Sequence, residues 1–251
     1  MTHLRADRPA LTSGEIHVWT ARLVGGHRAT TDLLQILDRE ERARAARFSL
    51  ERDRERFIQA HGITRRILAG YCDVDAAALT FACSRHGKPH LASPTSGSNL
   101  QFSVSHSGDC CMLALRLDHA VGIDIEKLRD MPRALHVAQR YFTSAESKLL
   151  AALEGTARRD AFLALWTLKE ATVKAFGVDL ATHLGRVEFD LDPVGTPQLV
   201  AWDGDRSVAR QWSTLRLDAP PGYVAAVASV HPIRSLTLRN CTALMDAAPT
   251  F

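Results

Sequence analysis

Arg158–Phe176 (RRDAFLALWTLKEATVKAF) decides the fold, because its apolar rhythm occurs once more far upstream. Set beside Glu55–Ala60 (ERFIQA), the segment Asp160–Leu165 (DAFLAL) places Phe162 on Phe57 and Leu163 on Ile58. Farther along, Val173 falls on Leu68 and Phe176 on Tyr71. Both stretches have helical spacing, and Gly177 stops the second. The first helical region runs from Asp38 to about Tyr71 and is broken at Phe48-Ser49-Leu50. Strands are predicted around these helices: Ile16–Leu23, Leu79–Ser84, Gln101–Ser105, Cys110–Leu117, Val121–Glu126, Arg186–Leu191, Trp212–Leu217 and Tyr223–Val230. A polar stretch with Gly87, Pro89, Pro94 and Gly97 precedes a hairpin turned at Ser107-Gly108-Asp109. Thr143-Ser-Ala-Glu146 has capping-box spacing and opens another helix. The pattern predicts an α+β protein of two similar halves. The expected divisions are residues 1–118, residues 119–235 and a tail at 236–251 that is loosely held from Cys241 onward. A joint near 118–120 puts a cleft between the halves.

The 251 residues are 46% hydrophobic and 24% charged with a mean hydropathy of -0.10, which excludes fibrous and disordered classes. No apolar run approaches the roughly 20 residues of a bilayer span, and Met1–Trp19 has no signal-like apolar region, so a cytoplasmic protein without membrane attachment is expected. Cys72, Cys83, Cys110, Cys111 and Cys241 contain no C-x-x-C, which argues against both a disulfide framework and a zinc ribbon. The formal charge is +3, yet Arg39–Arg66 alone carries nine arginines against five acids. That concentration favours a small polyanion over nucleic acid, with a solvated helix face as the plain alternative.

On the strand Val121–Glu126 (VGIDIE), Val121, Ile123 and Ile125 share one face, and Gly122, Asp124 and Glu126 the other. Carboxylates two residues apart have Cβ atoms roughly 6 to 7 Å apart and can share a hard cation; the same pattern also suits an exposed strand face. Glu170 and Lys174 form an i, i+4 pair on the flank of the long helix, which fits either a cleft or an ordinary surface pair. Gln101–Ser107 (QFSVSHS) ends a strand in hydroxyls and His106, donors suited to phosphate. His86–His90 (HGKPH) is a turn that can present Lys88 to an anion. No P-loop, G-x-G-x-x-G, G-x-S-x-G or H-E-x-x-H is present.

Taken together, Phe102–Ser107 (FSVSHS), Val121–Glu126 (VGIDIE), Phe142–Glu146 (FTSAE) and Trp166–Ala171 (WTLKEA), in this order and spacing, resemble the 4′-phosphopantetheinyl transferases. The larger, pseudo-dimeric type that activates peptide and polyketide synthases fits best. The Gly-Lys-Pro turn, the arginine-rich helix and Gly222-Tyr223 also match, so the likeness extends over roughly residues 35 to 232. It implies two halves related by a pseudo-twofold axis, a monomer, and an active site between the halves. It also implies transfer of 4′-phosphopantetheine from coenzyme A to a serine of an apo carrier protein of peptide, polyketide or fatty acid synthesis, with adenosine 3′,5′-bisphosphate released.

By the same resemblance Asp124, Glu126 and Glu170 hold Mg²⁺, and such an all-oxygen site also accepts Mn²⁺. Glu170 is the implied base, and Lys174 contacts the pyrophosphate. Ser105, His106, Lys88, Arg56 and Arg44 serve the phosphates and adenosine end of coenzyme A. Glu41 stands where some relatives have a lysine, so Arg39, Arg42 or Arg47 is expected to share the 3′-phosphate. Lys127–Tyr141, with Leu128, Met131, Leu135 and Val137 among Arg129, Arg133 and Arg140, is implied to dock the carrier; the plain reading is that these apolar residues cap the core. Two other classes compete. One is a metal-dependent phosphodiesterase or nuclease using the same carboxylates; the other is a non-catalytic module binding coenzyme A or nucleic acid through the basic helix.

Overall fold

The computed structural model describes residues 10–23, 27–92, 99–190 and 197–241. Its first part begins with strand β1 (Glu15–Arg22), followed by helices α1 (His27–Ile36), α2 (Arg39–Ala45) and α3 (Glu51–Cys72). A short hairpin, β2 (Phe81–Cys83) and β3 (Pro89–Leu91), leads to β4 (Leu100–Ser107) and β5 (Cys110–Leu117). β5 (CCMLALRL) is apolar almost throughout because it is central, hydrogen-bonded to β1 on one side and β4 on the other. Its hairpin with β4 turns at Gly108, whose positive φ of 55° suits a residue without Cβ.

The second part repeats the order. β6 (Val121–Lys127) is followed by α4 (Ala134–Tyr141), α5 (Ser144–Ala151) and α6 (Gly155–Phe176), with α7 (Leu180–His183) as a short extension. A hairpin of β7 (Val187–Asp190) and β8 (Gln198–Trp202) comes next, then α8 (Arg206–Ala209), β9 (Trp212–Leu217) and β10 (Tyr223–Val230). The strand orders β1-β5-β4 and β6-β10-β9 correspond, each with the last strand in the middle. Thr143 and Glu146 form the expected capping box on α5, and Gly177 ends α6 at φ 71°.

The two sheets pack face to face. Ile16 and Val18 of β1 and Met112 and Ala114 of β5 share a core with Ile123, Ile125, Ala225 and Val227. α3 covers the outer face of the first sheet through Phe57, Ile63, Ile67 and Leu68 against Phe102, Leu113 and Leu115. α6 covers the outer face of the second through Phe162, Leu165, Leu168 and Val173 against Ala226 and Ala228. The layers therefore run helix, sheet, sheet, helix.

Among the described residues seven elements were not expected from the sequence: α1, α4, α7, α8, β3, β8 and β11. α1 is held by Leu33, with Leu37 just beyond it, both buried under α3. The expected tail instead begins with β11 (Ser235–Asn240), which pairs in parallel with β1, and Cys241 is buried with its N–H on Thr20 O at 2.9 Å. The chain thus returns after β10 to extend the first sheet by an edge strand beside β1. Pro94, Gly97, Leu191 and the tail beyond Cys241 lie outside the described residues. Among the described residues no helix is long and apolar enough to cross a membrane.

Candidate active site

The site begins with a glycine. The face of β6 that carries Gly122, Asp124 and Glu126 is turned toward α6 and not toward solvent, and β6 is buried as far as Ile125. At Gly122 the helix backbone comes so close that a Cβ would lie 2.0 Å from Ala171 O and 2.5 Å from Ala175 N. This approach carries the residues just before those alanines, Glu170 and Lys174, onto the carboxylates of the strand. Lys174 Nζ lies 2.6 Å from Asp124 Oδ1 and 3.2 Å from Glu170 Oε2.

A third element completes the cluster. β4 and β6 are edge strands of different sheets, and their edges abut. Ser105 Oγ donates to Asp124 Oδ1 at 2.7 Å and accepts from Lys174 at 3.2 Å. Asp124 is 3% exposed; burial pushes its carboxyl up to about 7 against the pull of Lys174, and Glu170 adds to the rise. For Lys174, burial is outweighed by the two carboxylates, so its ammonium is held above the usual lysine range. Asp124 Oδ2 is buried without a hydrogen-bond partner.

The cluster forms one wall of a cavity of about 500 Å³. Asp124, Glu126, Glu170, Lys174, Ser105, His106 and Arg44 all line it, so seven of the nine expected site residues meet there. Phe81, Phe102, Val104 and Pro89 add an apolar side. His106 is open to the cavity yet held below the usual histidine range, first by loss of bulk water and then by the positive field of His61, Lys174, Arg44 and Arg56. A neutral imidazole beside several cations suits an anionic ligand, whose arrival would raise its proton affinity.

Arg56 and Lys88 are not among the lining residues. The Arg56 guanidinium is tied to Asp109 and Asp53. Lys88 Nζ donates to Val121 O at 2.9 Å, and burial brings its ammonium down to about 8. Sequence reasoning also missed the partners of Glu41. Glu41 closes the capping box of α2 on Asp38 and accepts from Arg65 Nε at 2.7 Å, while its Oε1 bonds His61 Nδ1 at 2.8 Å. Glu41 and His61 both line the cavity. The D-x-x-E spacing of Asp38 and Glu41 was the one available signal; the partners lie 20 and 24 residues away.

The half-buried Leu128, Met131, Leu135 and Val137 pack against the core of the second part, as the plain reading of that segment expected. Among the described residues no three His, Cys, Asp or Glu side chains converge as a ready-made metal cage. Lys174 bridges Asp124 and Glu170, while Ser107 and Arg129 both engage Glu126. The donors nevertheless suit a hard cation: all are carboxylate oxygens, and Asp124 Oδ2 is a buried acceptor without a donor.

Comparison with known proteins bears on this geometry. The chain is 35% identical over 218 residues to the 4′-phosphopantetheinyl transferase HetI of Nostoc sp., covering 87% of this chain and 89% of that protein. It belongs to the 4′-phosphopantetheinyl transferase superfamily. The superfamily profile matches residues 120–228, and a second profile, "4′-phosphopantetheinyl transferase, N-terminal", matches residues 27–117. A phosphopantetheinyl transferase of Thraustochytrium sp. is 30% identical over 81% of this chain and 75% of its own length. The human L-aminoadipate-semialdehyde dehydrogenase-phosphopantetheinyl transferase is 32% identical over 62% of this chain and 53% of its own. The two matched ranges meet between β5 and β6 and so take in strands of both sheets, while β1 and β11 lie outside them.

Proposed function

We propose that this transferase moves 4′-phosphopantetheine from coenzyme A to the serine hydroxyl of an apo carrier protein, releasing adenosine 3′,5′-bisphosphate. The observation that carries the reading is the cluster of Asp124, Glu170 and Lys174 on the cavity wall, with Asp124 Oδ2 buried and unpartnered. The carrier serine oxygen bonds to the phosphorus that bears pantetheine. The bond from that phosphorus to the bridging oxygen breaks, and its electron pair leaves with adenosine 3′,5′-bisphosphate. Glu170 takes the serine proton, directly or through one water. Lys174 donates to the pyrophosphate oxygens as negative charge grows there. Asp124, Glu126 and Glu170 would hold Mg²⁺ or Mn²⁺, which supplies further positive charge to the pyrophosphate.

Arg44, Ser105 and His106 are assigned to the phosphates of coenzyme A, supported by their place on the cavity wall. Arg56 and Lys88 are assigned with them to the phosphates and adenosine end, a role that requires each to leave its present partner. The repeated element order supports two halves, 1–118 and 119–235, related by a pseudo-twofold axis, with 236–251 as an extension that starts in β11. One chain then holds both walls of the site, and a monomer suffices. The carrier is assigned to residues 127–141, where Arg129, Arg133 and Arg140 complement an acidic helix. Carrier domains of peptide, polyketide or fatty acid synthases meet that description. Cysteines that form no disulfide among the described residues fit a reducing cytoplasm.

Chromatographic release of adenosine 3′,5′-bisphosphate tests the reading. Release that requires an apo carrier is the expected result; equal release without carrier would make the protein a hydrolase of coenzyme A.

A further inference from the structure

Three serines alternate along β4, and all three hydroxyls reach across the seam to β6. Ser103 Oγ accepts from Ile123 N at 3.1 Å, Ser105 Oγ donates to Asp124 Oδ1, and Ser107 Oγ donates to Glu126 Oε2 at 2.8 Å. Ser107 Oγ also accepts from Lys127 N at 3.1 Å. Because that N–H occupies an oxygen lone pair, the hydroxyl hydrogen is directed at Glu126.

The two carboxylates of the strand are treated alike. Asp124 has one oxygen engaged by a β4 serine and a cation, Lys174, while its other oxygen has no partner. Glu126 has one oxygen engaged by a β4 serine and a cation, Arg129 at 2.7 Å; its Oε1 takes part in neither contact, and Glu126 lines the cavity. A carboxylate anchored through one oxygen presents the other in a fixed direction, which is how outer-shell partners tune a cation site. The anchor comes from the opposite half, so it also fixes where β4 sits against β6.

We propose that Ser107 is a positioning residue: from the first half, it holds Glu126 in the orientation in which its second oxygen receives the divalent cation. This rests on the assignment of Asp124, Glu126 and Glu170 as cation ligands. Ser107 touches neither coenzyme A nor the reacting atoms in this scheme. Its loss should therefore weaken the cation and leave metal-free coenzyme A binding unchanged.

The test is Mn²⁺ binding to the full chain with coenzyme A present, read as loss of the free Mn²⁺ signal in electron paramagnetic resonance. Wild type, Ser107→Ala and Ser107→Thr are compared, and coenzyme A affinity is measured for each in chelator. Ser107→Ala should bind Mn²⁺ about 10-fold more weakly, within the range for outer-shell losses, and Ser107→Thr should restore binding to within about twofold. Coenzyme A affinity in chelator should stay within about twofold of wild type. Equal Mn²⁺ affinity in Ser107→Ala would overturn the proposal, as would an equal loss of coenzyme A binding in chelator, which marks a general defect of the seam. Wild type that binds no Mn²⁺ would instead overturn the carboxylate assignment itself, and the proposal with it.

Discussion

Substituting Gly122 by alanine tests whether the contact between strand and helix builds the site. The new Cβ would lie 2.0 Å from Ala171 O and 2.5 Å from Ala175 N, both backbone atoms that cannot rotate away. Contacts below 3.0 Å are essentially never seen, so α6 must withdraw by at least about 1 Å. Glu170 and Lys174 directly precede those two alanines and withdraw with them. Misplacement of reacting groups by about 1 Å costs about 100-fold in rate, so kcat/KM for carrier modification should fall by about that factor. Overpacking of this kind costs about 1 to 3 kcal/mol, or a Tm lower by about 3 to 10 °C for a chain of this size. Stability alone must be separated from positioning. Ile67→Val, in the core under α3, costs about 0.5 to 1.5 kcal/mol without touching α6, and should leave kcat/KM near wild type. Initial rates by mass spectrometry, with melting curves for both variants, give the answer. Folded Gly122→Ala with kcat/KM within about threefold of wild type, or an equal activity loss in Ile67→Val, would show that the contact of β6 with α6 does not position the site.

Other expectations follow from the same contacts. Glu170→Gln should keep coenzyme A affinity while kcat falls by about 10² to 10⁴; unchanged kcat would remove Glu170 as the base. Lys169 and Glu146 form a buried pair at 2.6 Å, and Lys169→Met leaves Glu146 uncompensated, so urea unfolding should report a loss of about 3 to 5 kcal/mol. A loss below about 1 kcal/mol would mean the pair is not coupled to folding. Burial pushes Glu41 up, but His61, the Asp38 N–H and Arg65 together hold it below the usual glutamate range. A carboxylate with a depressed folded-state value stabilises the fold above its unfolded value of about 4.3 and loses that contribution as pH falls through the folded value. Melting curves from pH 3 to 7 should show this acid-side slope in wild type and a shallower one in Glu41→Gln. Identical slopes would count against the Glu41 contribution.

Much of this architecture is legible in the residues. The duplicated helical rhythm of Phe57 and Phe162, the T-x-x-E cap at Thr143 and the alternation in VGIDIE depend on neighbours close in sequence. What was not legible depends on distance. β11 is a short strand whose pairing with β1 spans more than two hundred residues, and no local pattern announces a partner so remote. The face of β6 that carries Asp124 alternates as an exposed strand would; its cover by α6 follows from Gly122, whose role is an absent side chain. Ser107 was visible only as one of several hydroxyls, because its partner Glu126 comes from a strand of the other sheet. Arg56 and Lys88 show the converse: the residue types were readable, but their engagement by Asp109 and Val121 O was not.

Phosphopantetheine transfer is read directly from the intact mass of an apo carrier protein after incubation with this protein, coenzyme A and Mg²⁺, beside a chelator control. The carrier should gain the mass of one phosphopantetheine group, and the chelator should abolish the gain. No gain on peptidyl, acyl and aryl carriers, with coenzyme A still bound, would show that the cluster of Asp124, Glu170 and Lys174 does not carry out this transfer.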